Sequence, residues 1–248
     1  MFLTDEEKRM LNGECGIRWA EGMADMGARV RVPTTYNVCA VDRSRDLGQP
    51  DSWVIPQLRV GKAYQRMGIY GTSSCTPYMY GFVPTLGEHV AWAESSAVMF
   101  SNSVLGACDN REGGPSALAA ALAGRTPDYG MHRKENRYGD VLYKITVPLE
   151  SYADYGALAT YVGKQINDKK PVFDNLNNPN QQELICLSCG LATVSNSCMF
   201  HGVGVTPEAP TLEAAFGGKT DYAIIEFGAK ELKTGYDMLH SGNNRNID

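Results

Sequence analysis

Side chains that could carry chemistry are concentrated in one continuous run of the chain, from Cys75 to Pro127. Within it, a Cys-Thr-Pro-Tyr turn begins at Cys75, Gly-Glu-His occupies residues 87–89, and Asn-Arg-Glu-Gly-Gly-Pro-Ser occupies residues 110–116. A cysteine thiolate can ligate an iron–sulfur cluster, a histidine beside a carboxylate can transfer protons, and an arginine beside glycines can bind an anion. The run therefore predicts a site for a small anionic substrate.

Cys75 follows a predicted strand, GIYGTSS, and precedes Pro77, which fixes the turn. Ligands of α/β proteins bind beyond the carboxyl ends of strands, so this thiol is a candidate metal ligand. Burial as a small apolar side chain is the commoner role of a lone cysteine, and spacing alone leaves both interpretations open.

The pair Glu88–His89 follows Gly87 at the start of a helix predicted over residues 88–107. We interpret the two as candidate catalytic residues, an acid/base or substrate-orienting pair. The simpler alternatives are a carboxylate that stabilises the first helical turn and a structural histidine bonded to backbone. The sequence does not identify the catalytic base.

Residues 110–116 combine two glycines, an arginine and a helix that begins at Pro115. The glycines let backbone approach a ligand closely, the helix start offers N–H groups, and arginine can bind a carboxylate through two parallel hydrogen bonds. The alternative is an ordinary Gly-Pro helix start with Arg111 in a surface ion pair. The Gly-Lys-Ser/Thr ending of a Walker loop is absent. The predicted substrate-binding residues are Asn110, Arg111, Glu112 and Ser116.

The remaining cysteines lack a comparable context. Cys186 and Cys189 form a Cys-x-x-Cys sequence, which can be a redox pair or half of a zinc site, yet no second pair follows at zinc spacing. Packing is the favoured interpretation for these two cysteines. The same interpretation applies to Cys15, Cys39, Cys108 and Cys198, and His201 is predicted to be structural.

Composition argues against two classes of partner. A net charge of −5 and a pI near 5.4 do not favour binding to nucleic acid or to an anionic membrane. No run approaches the ~20 apolar residues of a membrane helix, and the opening MFLTDEEKRML lacks the apolar core of a signal peptide. We predict a cytoplasmic protein, in which the seven cysteines are thiols or metal ligands.

Predicted strands and helices alternate along most of the chain, which favours a layered α/β fold with a largely parallel sheet. Further predicted strands are ARVRVPTTYNV, DVLYKITVPL, KPVFDNL, SCMFHGVGVT and DYAIIEFG. Helix starts are predicted at the capping pairs Thr4–Glu7 and Ser151–Asp154, after Pro56, and at Asn178–Pro179.

Five blocks of the sequence, in order, resemble the aconitase X family, whose members are iron–sulfur hydro-lyases. They are LTDEEKRMLNGE, VRVPTTYNVCAVD, the stretch from Cys75 to Pro127, YGMHRKENR and FHGVGVTPEAPT. The resemblance spans most of the chain and is most specific in the central stretch. It implies an α/β fold, an aconitase-like layered α/β/α arrangement with largely parallel sheets, in which two subdomains meet near residues 130–150.

The resemblance also implies a hydro-lyase that dehydrates a small hydroxylated carboxylate, such as 5-phosphomevalonate or cis-3-hydroxy-L-proline. It matches Cys75 to a cluster ligand, and Asn110 and Arg111 to substrate contacts. For Glu88, His89 and Glu112 it implies proximity to the site only. The iron would act as a Lewis acid on the substrate hydroxyl, and a small swivelling-domain subunit is the implied partner.

Two departures from the family pattern affect the expected cofactor. The family's segment between Glu21 and Gly27 is longer, and the family continues beyond Asp248 with further cluster cysteines. Because Cys75 is the single recognised ligand, the iron–sulfur cluster (or iron) is expected to be incomplete in this chain. A fragment or shortened variant is the favoured interpretation. The alternatives are a catalytically inactive homologue and substitution by Cys186, Cys189 or Cys198.

Overall fold

The structure is a computed structural model that describes residues 13–37, 41 and 48–240. The chain divides into two compact units that alternate along the sequence. Unit 1 comprises Met1–Phe82 and Gly114–Arg125, and unit 2 comprises Val83–Gly113 and Thr126–Asp248. The predicted subdomain boundary near residues 130–150 stays a prediction. The predicted Thr4–Glu7 helix start lies outside the described residues.

In its described residues, unit 1 contains three α-helices, α1 (Glu14–Asp25), α2 (Asp51–Arg66) and α4 (Gly114–Ala123). Small and apolar side chains at helical spacing form its core: Ala20, Ala24, Ala63, Met67, Ile69 and Leu118. Helix α2 begins five residues before the predicted start at Pro56, because the Pro50 carbonyl accepts the N–H groups of Trp53 and Val54 at 2.8 and 3.1 Å.

Unit 2 contains a four-stranded parallel sheet in the order β3-β2-β1-β4. The strands are β1 (Val141–Ile145), β2 (Pro171–Asp174), β3 (His201–Gly202) and β4 (Ala223–Phe227). In the central pair, Leu142 lies opposite Val172 on one side and Ile224 on the other. Because β1 and β2 are buried along most of their length, each begins with an apolar run, Val141–Tyr143 and Pro171–Phe173, as expected for parallel strands. The predicted α/β fold with a parallel sheet is confirmed.

The helices of unit 2 are α3 (Ser95–Phe100), α5 (Tyr152–Ile166), α6 (Gln181–Val194), α7 (Leu212–Phe216) and α8 (Ala229–Leu239). The capping box predicted for Ser151 and Asp154 is present at the start of α5. A second capping box starts α6, but its N-cap is Asn180 rather than the predicted Asn178–Pro179. In the described part of the chain, no helix is long and apolar enough to cross a membrane.

The predicted helix over residues 88–107 is wrong. His89 instead forms an isolated parallel bridge with Cys108, and helix α3 begins only after Glu94, whose carboxylate accepts the Ser96 N–H. Helix α3 then widens into a π-helical turn at Ser101–Leu105, which ends at Gly106 with φ of 69°. The two segments of the bridge are too far apart in sequence for local helical spacing to reveal their pairing.

Three predicted strands are shorter than expected or absent. ARVRVPTTYNV and GIYGTSS contribute, in the described residues, a single bridge between Thr35 and Tyr70. The strand predicted over SCMFHGVGVT is reduced to His201–Gly202, because the Gly202 carbonyl accepts the N–H groups of Val205 and Thr206 and so turns the chain. Cys75 therefore does not follow a strand.

Candidate functional site

The residues predicted to form one site are divided between the two units. Cys75 and Ser116 belong to unit 1, and the other five candidates, Glu88, His89, Asn110, Arg111 and Glu112, belong to unit 2. Cys75 is half-buried in a bend that precedes a short 3₁₀ helix, Pro77–Tyr80. The hydroxyl of Ser74 accepts the Thr76 N–H at 3.1 Å, which fixes this bend. Ser116 lies exposed in the first turn of α4.

Asn110 is held by a short segment of unit 2. Its Oδ1 accepts the backbone N–H of Met131 at 2.8 Å, and its Nδ2 donates to the carbonyl of Tyr129 at 3.2 Å. Between these two residues, Gly130 has φ of 61°, and a Cβ at this position would collide with Asn110 Oδ1. The side chain amide is therefore fixed at both ends, and only glycine at position 130 leaves space for it.

The same segment carries a histidine that contacts His89. The Nδ1 atoms of His89 and His132 are 2.9 Å apart, and Nε2 of His132 lies 3.1 Å from Oγ1 of Thr126. His89 is exposed, whereas His132 is 7% exposed. Burial, reinforced by His89, lowers the pKa of His132 and so favours its neutral form. The structure thus connects His89 and Asn110 through residues 129–132.

Glu88 has a local structural contact. Its carboxylate accepts the backbone N–H of Thr85 at 2.9 Å and the Thr85 hydroxyl at 3.2 Å. The side chain therefore closes the turn that precedes the His89–Cys108 bridge. The backbone N–H of Glu112 donates to the Trp92 carbonyl at 3.3 Å, which ties the end of the 108–112 loop to the same region.

Arg111 contacts the end of a helix. Its two terminal nitrogens donate to the carbonyls of Ala192 and Ser195, each at 3.1 Å. These carbonyls lie at the C-terminus of α6, where backbone acceptors lack helical partners and a cation is favoured. The predicted contact between Arg111 and a substrate anion stays a prediction.

A buried polar network beside these residues was missed by the sequence analysis. Arg137 is 2% exposed, and its side chain donates to Glu208, Asn102, Met131 and Ala107. Asn102, from the π-helical turn, also binds both the N–H and the carbonyl of Asp109, at 2.9 and 2.8 Å. π-Helical turns are frequent at functional sites, but the pattern of small residues here predicted regular helix instead. The network fixes the start of the 109–112 loop.

Asp109 is the most perturbed acid of this network. Its Oδ1 accepts the Trp92 N–H at 3.0 Å, while its Oδ2 is buried without a partner among the described residues. Burial raises the pKa of Asp109 to about 8, and the nearby Glu112 carboxylate adds to the effect. This direction of the pKa shift favours the protonated form of Asp109 at neutral pH. Nothing in the sequence distinguishes this aspartate from a surface residue.

Comparisons with known proteins place the chain in a family. A family model described as the first domain of aconitase X matches residues 3–135, and one described as its second domain matches residues 139–237. The chain belongs to the aconitase X family.

Named relatives carry two activities. The chain is 42% identical over 227 residues to the phosphomevalonate dehydratase large subunit of Methanothermobacter thermautotrophicus, covering 90% of this chain and 57% of the relative. It is 38% identical to the cis-3-hydroxy-L-proline dehydratase of Pseudomonas aeruginosa, covering 95% of this chain and 42% of the relative. The chain spans about half the length of these curated relatives.

A solved structure shares the fold. The crystal structure of Thermococcus kodakaraensis aconitase X in its holo-form superposes with a TM-score of 0.81 at 36% identity, covering 92% of this chain and 56% of that chain. This match confirms the predicted aconitase-like fold.

The family resemblance implies an iron–sulfur cluster, and the described residues fit one only in part. Cys75 lies in unit 1, Cys108 and Cys198 lie in unit 2, and burial raises the pKa of the latter two thiols. Cys186 and Cys189 lie on α6, and Cys39 is outside the described residues. Across residues 13–37, 41 and 48–240, no group of three His, Cys, Asp or Glu residues could hold a metal ion. This part of the chain does not form a complete cluster site.

Proposed function

We propose that the chain belongs to the catalytic large subunit of an aconitase X hydro-lyase. Such an enzyme removes water from a small hydroxylated carboxylate. Its two candidate substrates are 5-phosphomevalonate and cis-3-hydroxy-L-proline, the substrates in the names of its relatives. The structural observation that best supports this proposal is the fixed position of Asn110 next to the His89–His132 pair. A hydrogen-bonding amide and a proton-transferring imidazole, both contacted by the segment 129–132, suit the binding and deprotonation of such a substrate.

Binding of the substrate anion is assigned to Asn110 and Arg111. Among the described residues, two of the five N–H groups of the Arg111 guanidinium bind the end of α6, and we assign the others to a carboxylate or phosphate of the substrate. Because α6 orients the guanidinium before substrate arrives, little side-chain freedom is lost on binding. Glu112 and Ser116 stay predicted neighbours of the substrate.

Cys75 is assigned as one ligand of an iron–sulfur centre whose other ligands the described residues do not supply. When bound, such a centre supplies Lewis-acid polarisation of the substrate hydroxyl. A small subunit is the proposed partner, because several relatives are named as large subunits. A location in the cytoplasm stays a prediction.

A turnover assay tests the proposal. The full chain is incubated anaerobically with iron and sulfide, mixed with a small subunit of the family, and given each of the two substrates in turn. We expect the protein to turn brown and to convert one of the two substrates to its dehydrated product. NMR of the substrate protons measures this conversion. A loaded, brown protein that dehydrates neither substrate would contradict the proposed activity. A colourless protein without bound iron would favour the catalytically inactive homologue.

A further inference from the structure

The contact between His89 and His132 constrains where protons can lie. A hydrogen bond between two Nδ1 atoms 2.9 Å apart contains one proton, because two facing N–H groups would repel each other and two bare nitrogens would share no hydrogen. The Nε2 of His132 is bonded to Thr126 Oγ1 at 3.1 Å, and this hydroxyl can donate or accept. The pair can therefore exist in two neutral arrangements.

The two arrangements differ in whether His89 Nε2 carries a proton. In the first, His89 Nδ1–H donates to His132 Nδ1, His132 Nε2–H donates to Thr126, and His89 Nε2 is a bare acceptor. In the second, His132 Nδ1–H donates to His89, and His89 Nε2 carries the proton. In the first arrangement a further proton adds at His89 Nε2 and leaves both hydrogen bonds in place. In the second it adds at His132 Nε2, and the Thr126 hydroxyl turns to accept it.

The surroundings of His132 disfavour the charged form of the second arrangement, in which the added proton lies on His132. His132 is buried, and burial, His89 and Arg137 all disfavour a positive charge on its ring, while Glu112 and Asp128 oppose this only partly. His89 is exposed, so water can solvate its charged ring. The single additional proton of the pair therefore belongs on His89, with His132 as the neutral acceptor that stabilises it.

We propose that His132 is a positioning residue, which holds His89 in the Nδ1–H tautomer so that His89 Nε2 accepts the substrate proton in the dehydration. The single proton between the two Nδ1 atoms follows from their distance, the acceptor role of His132 is argued from its burial, and the step on the substrate rests on the proposed function. The segment 129–132 that carries His132 also fixes Asn110, so one element orients the base and the binding amide.

The proposed step balances as follows. His89 Nε2 takes a proton from the carbon next to the hydroxyl-bearing carbon, and the C–H electron pair becomes the new double bond. The carbon–oxygen bond breaks with its electrons on oxygen, and the hydroxide takes a proton from solvent and leaves as water. The charged His89 returns its proton to solvent, which its exposure permits.

Nitrogen NMR tests the pairing without requiring activity. The chain has four histidines, so long-range proton–nitrogen correlations of the ¹⁵N-labelled full-length protein can resolve every ring. We expect His89 as the Nδ1–H tautomer, His132 as the Nε2–H tautomer, and any further proton of this pair on His89 rather than on His132. The opposite tautomers, or protonation of His132 before His89, would overturn the proposal even if the enzyme is an active dehydratase.

Two conservative variants separate positioning from packing. Thr126→Val removes the partner of His132 Nε2 with little change in shape, and should leave the rings as a mixture of tautomers. His132→Asn keeps a polar atom near the Nδ1 position, and should reduce kcat less than His89→Ala while leaving KM nearly unchanged. A fully retained single tautomer in Thr126→Val, or an equal loss of kcat in folded His132→Asn and His132→Leu, would contradict the positioning role.

Discussion

Each unit contains an arginine that binds several partners, but the two arginines differ in burial and in what they bind. In unit 1, Arg59 donates to the carboxylates of Glu14 and Glu21, with 36% of its side chain exposed. In unit 2, Arg137 is 2% exposed and donates to one carboxylate, one side-chain amide and several backbone carbonyls. Arg59 joins the surfaces of helices α1 and α2, whereas Arg137 fixes the loops whose backbone carbonyls it binds.

The difference shows which unit specifies the geometry of a site. A surface ion pair adds little stability and little positional precision, because solvent competes for both partners. A buried guanidinium that satisfies backbone acceptors of separate loops orients those loops relative to one another. Arg137 connects the π-helical turn, the 129–132 segment and Glu208, and these support Asn110 and His132.

Removal of the Arg137 guanidinium should have the largest effect on stability. Arg137→Met removes one donor from Asn102 Oδ1, from backbone carbonyls and from Glu208, and the loss of one partner from a buried ionic network costs about 3–5 kcal/mol. The loss is measured as the difference in unfolding free energy between wild type and variant, from urea titrations. A Trp19→Phe, Trp53→Phe background leaves Trp92 as the fluorescent reporter of unit 2.

Arg59→Met is the matched control in unit 1. It removes a guanidinium from an exposed network, so the loss should be much smaller and should shrink further at high salt. Equal losses in the two variants would mean that the contrast between the arginines has no energetic basis.

Asp109→Asn should change how the stability of unit 2 depends on pH. The folded protein keeps the Asp109 proton up to a pKa of about 8, whereas the unfolded chain releases it near 3.8. The stabilisation by this group is therefore complete below pH 4 and is lost as the pH rises towards 8. Between pH 5 and pH 7 the wild type should lose about 2–3 kcal/mol relative to the variant, measured by urea unfolding. Parallel pH profiles for the two proteins would show that Asp109 ionises normally.

Gly130→Ala should have a moderate effect that is specific to the Asn110 contact. Placing a Cβ at φ of 61° costs about 1–2 kcal/mol, and the new methyl also displaces Asn110 Oδ1. Gly204→Ala is the control, because Gly204 has φ of 72° and nothing lies within 4 Å of a Cβ there. We expect the larger loss of unfolding free energy in Gly130→Ala, and an equal loss in both variants would argue against a tight Asn110 contact.

Arg111→Lys should have the smallest effect on stability and a clearer effect on binding. Lysine keeps the positive charge at the C-terminus of α6 but loses the planar pair of donors, so the stability loss should stay below about 1 kcal/mol. The loss of a bidentate grip should weaken binding of the substrate, measured by calorimetry. Unchanged affinity would limit Arg111 to a structural contact with α6.

The sequence correctly predicted those features that depend on residues close together along the chain. The capping box at Ser151, the apolar strands of the sheet and the family motifs are local patterns, and each was confirmed. The helix over residues 88–107 was wrong because pairing of His89 with Cys108 overrides local helical preference.

The polar network was missed for a related reason. Arg137 and Asn102 are 35 residues apart, and Arg137 and Glu208 are 71 residues apart, so no local spacing indicates their contact. A buried aspartate or arginine has the same sequence signature as an exposed one. The burial that changes the chemistry of Asp109 and His132 arises only when distant segments pack.

One paired measurement tests directly the two proposed roles, Cys75 as an iron ligand and His89 as the residue that takes up the substrate proton. Iron content and dehydration rate are measured for the iron-loaded wild type, Cys75→Ala and His89→Ala. We predict that Cys75→Ala loses both iron and turnover, whereas His89→Ala keeps its iron and loses turnover by about 10²–10⁴-fold. Full turnover in His89→Ala, or full iron content in Cys75→Ala, would contradict the account.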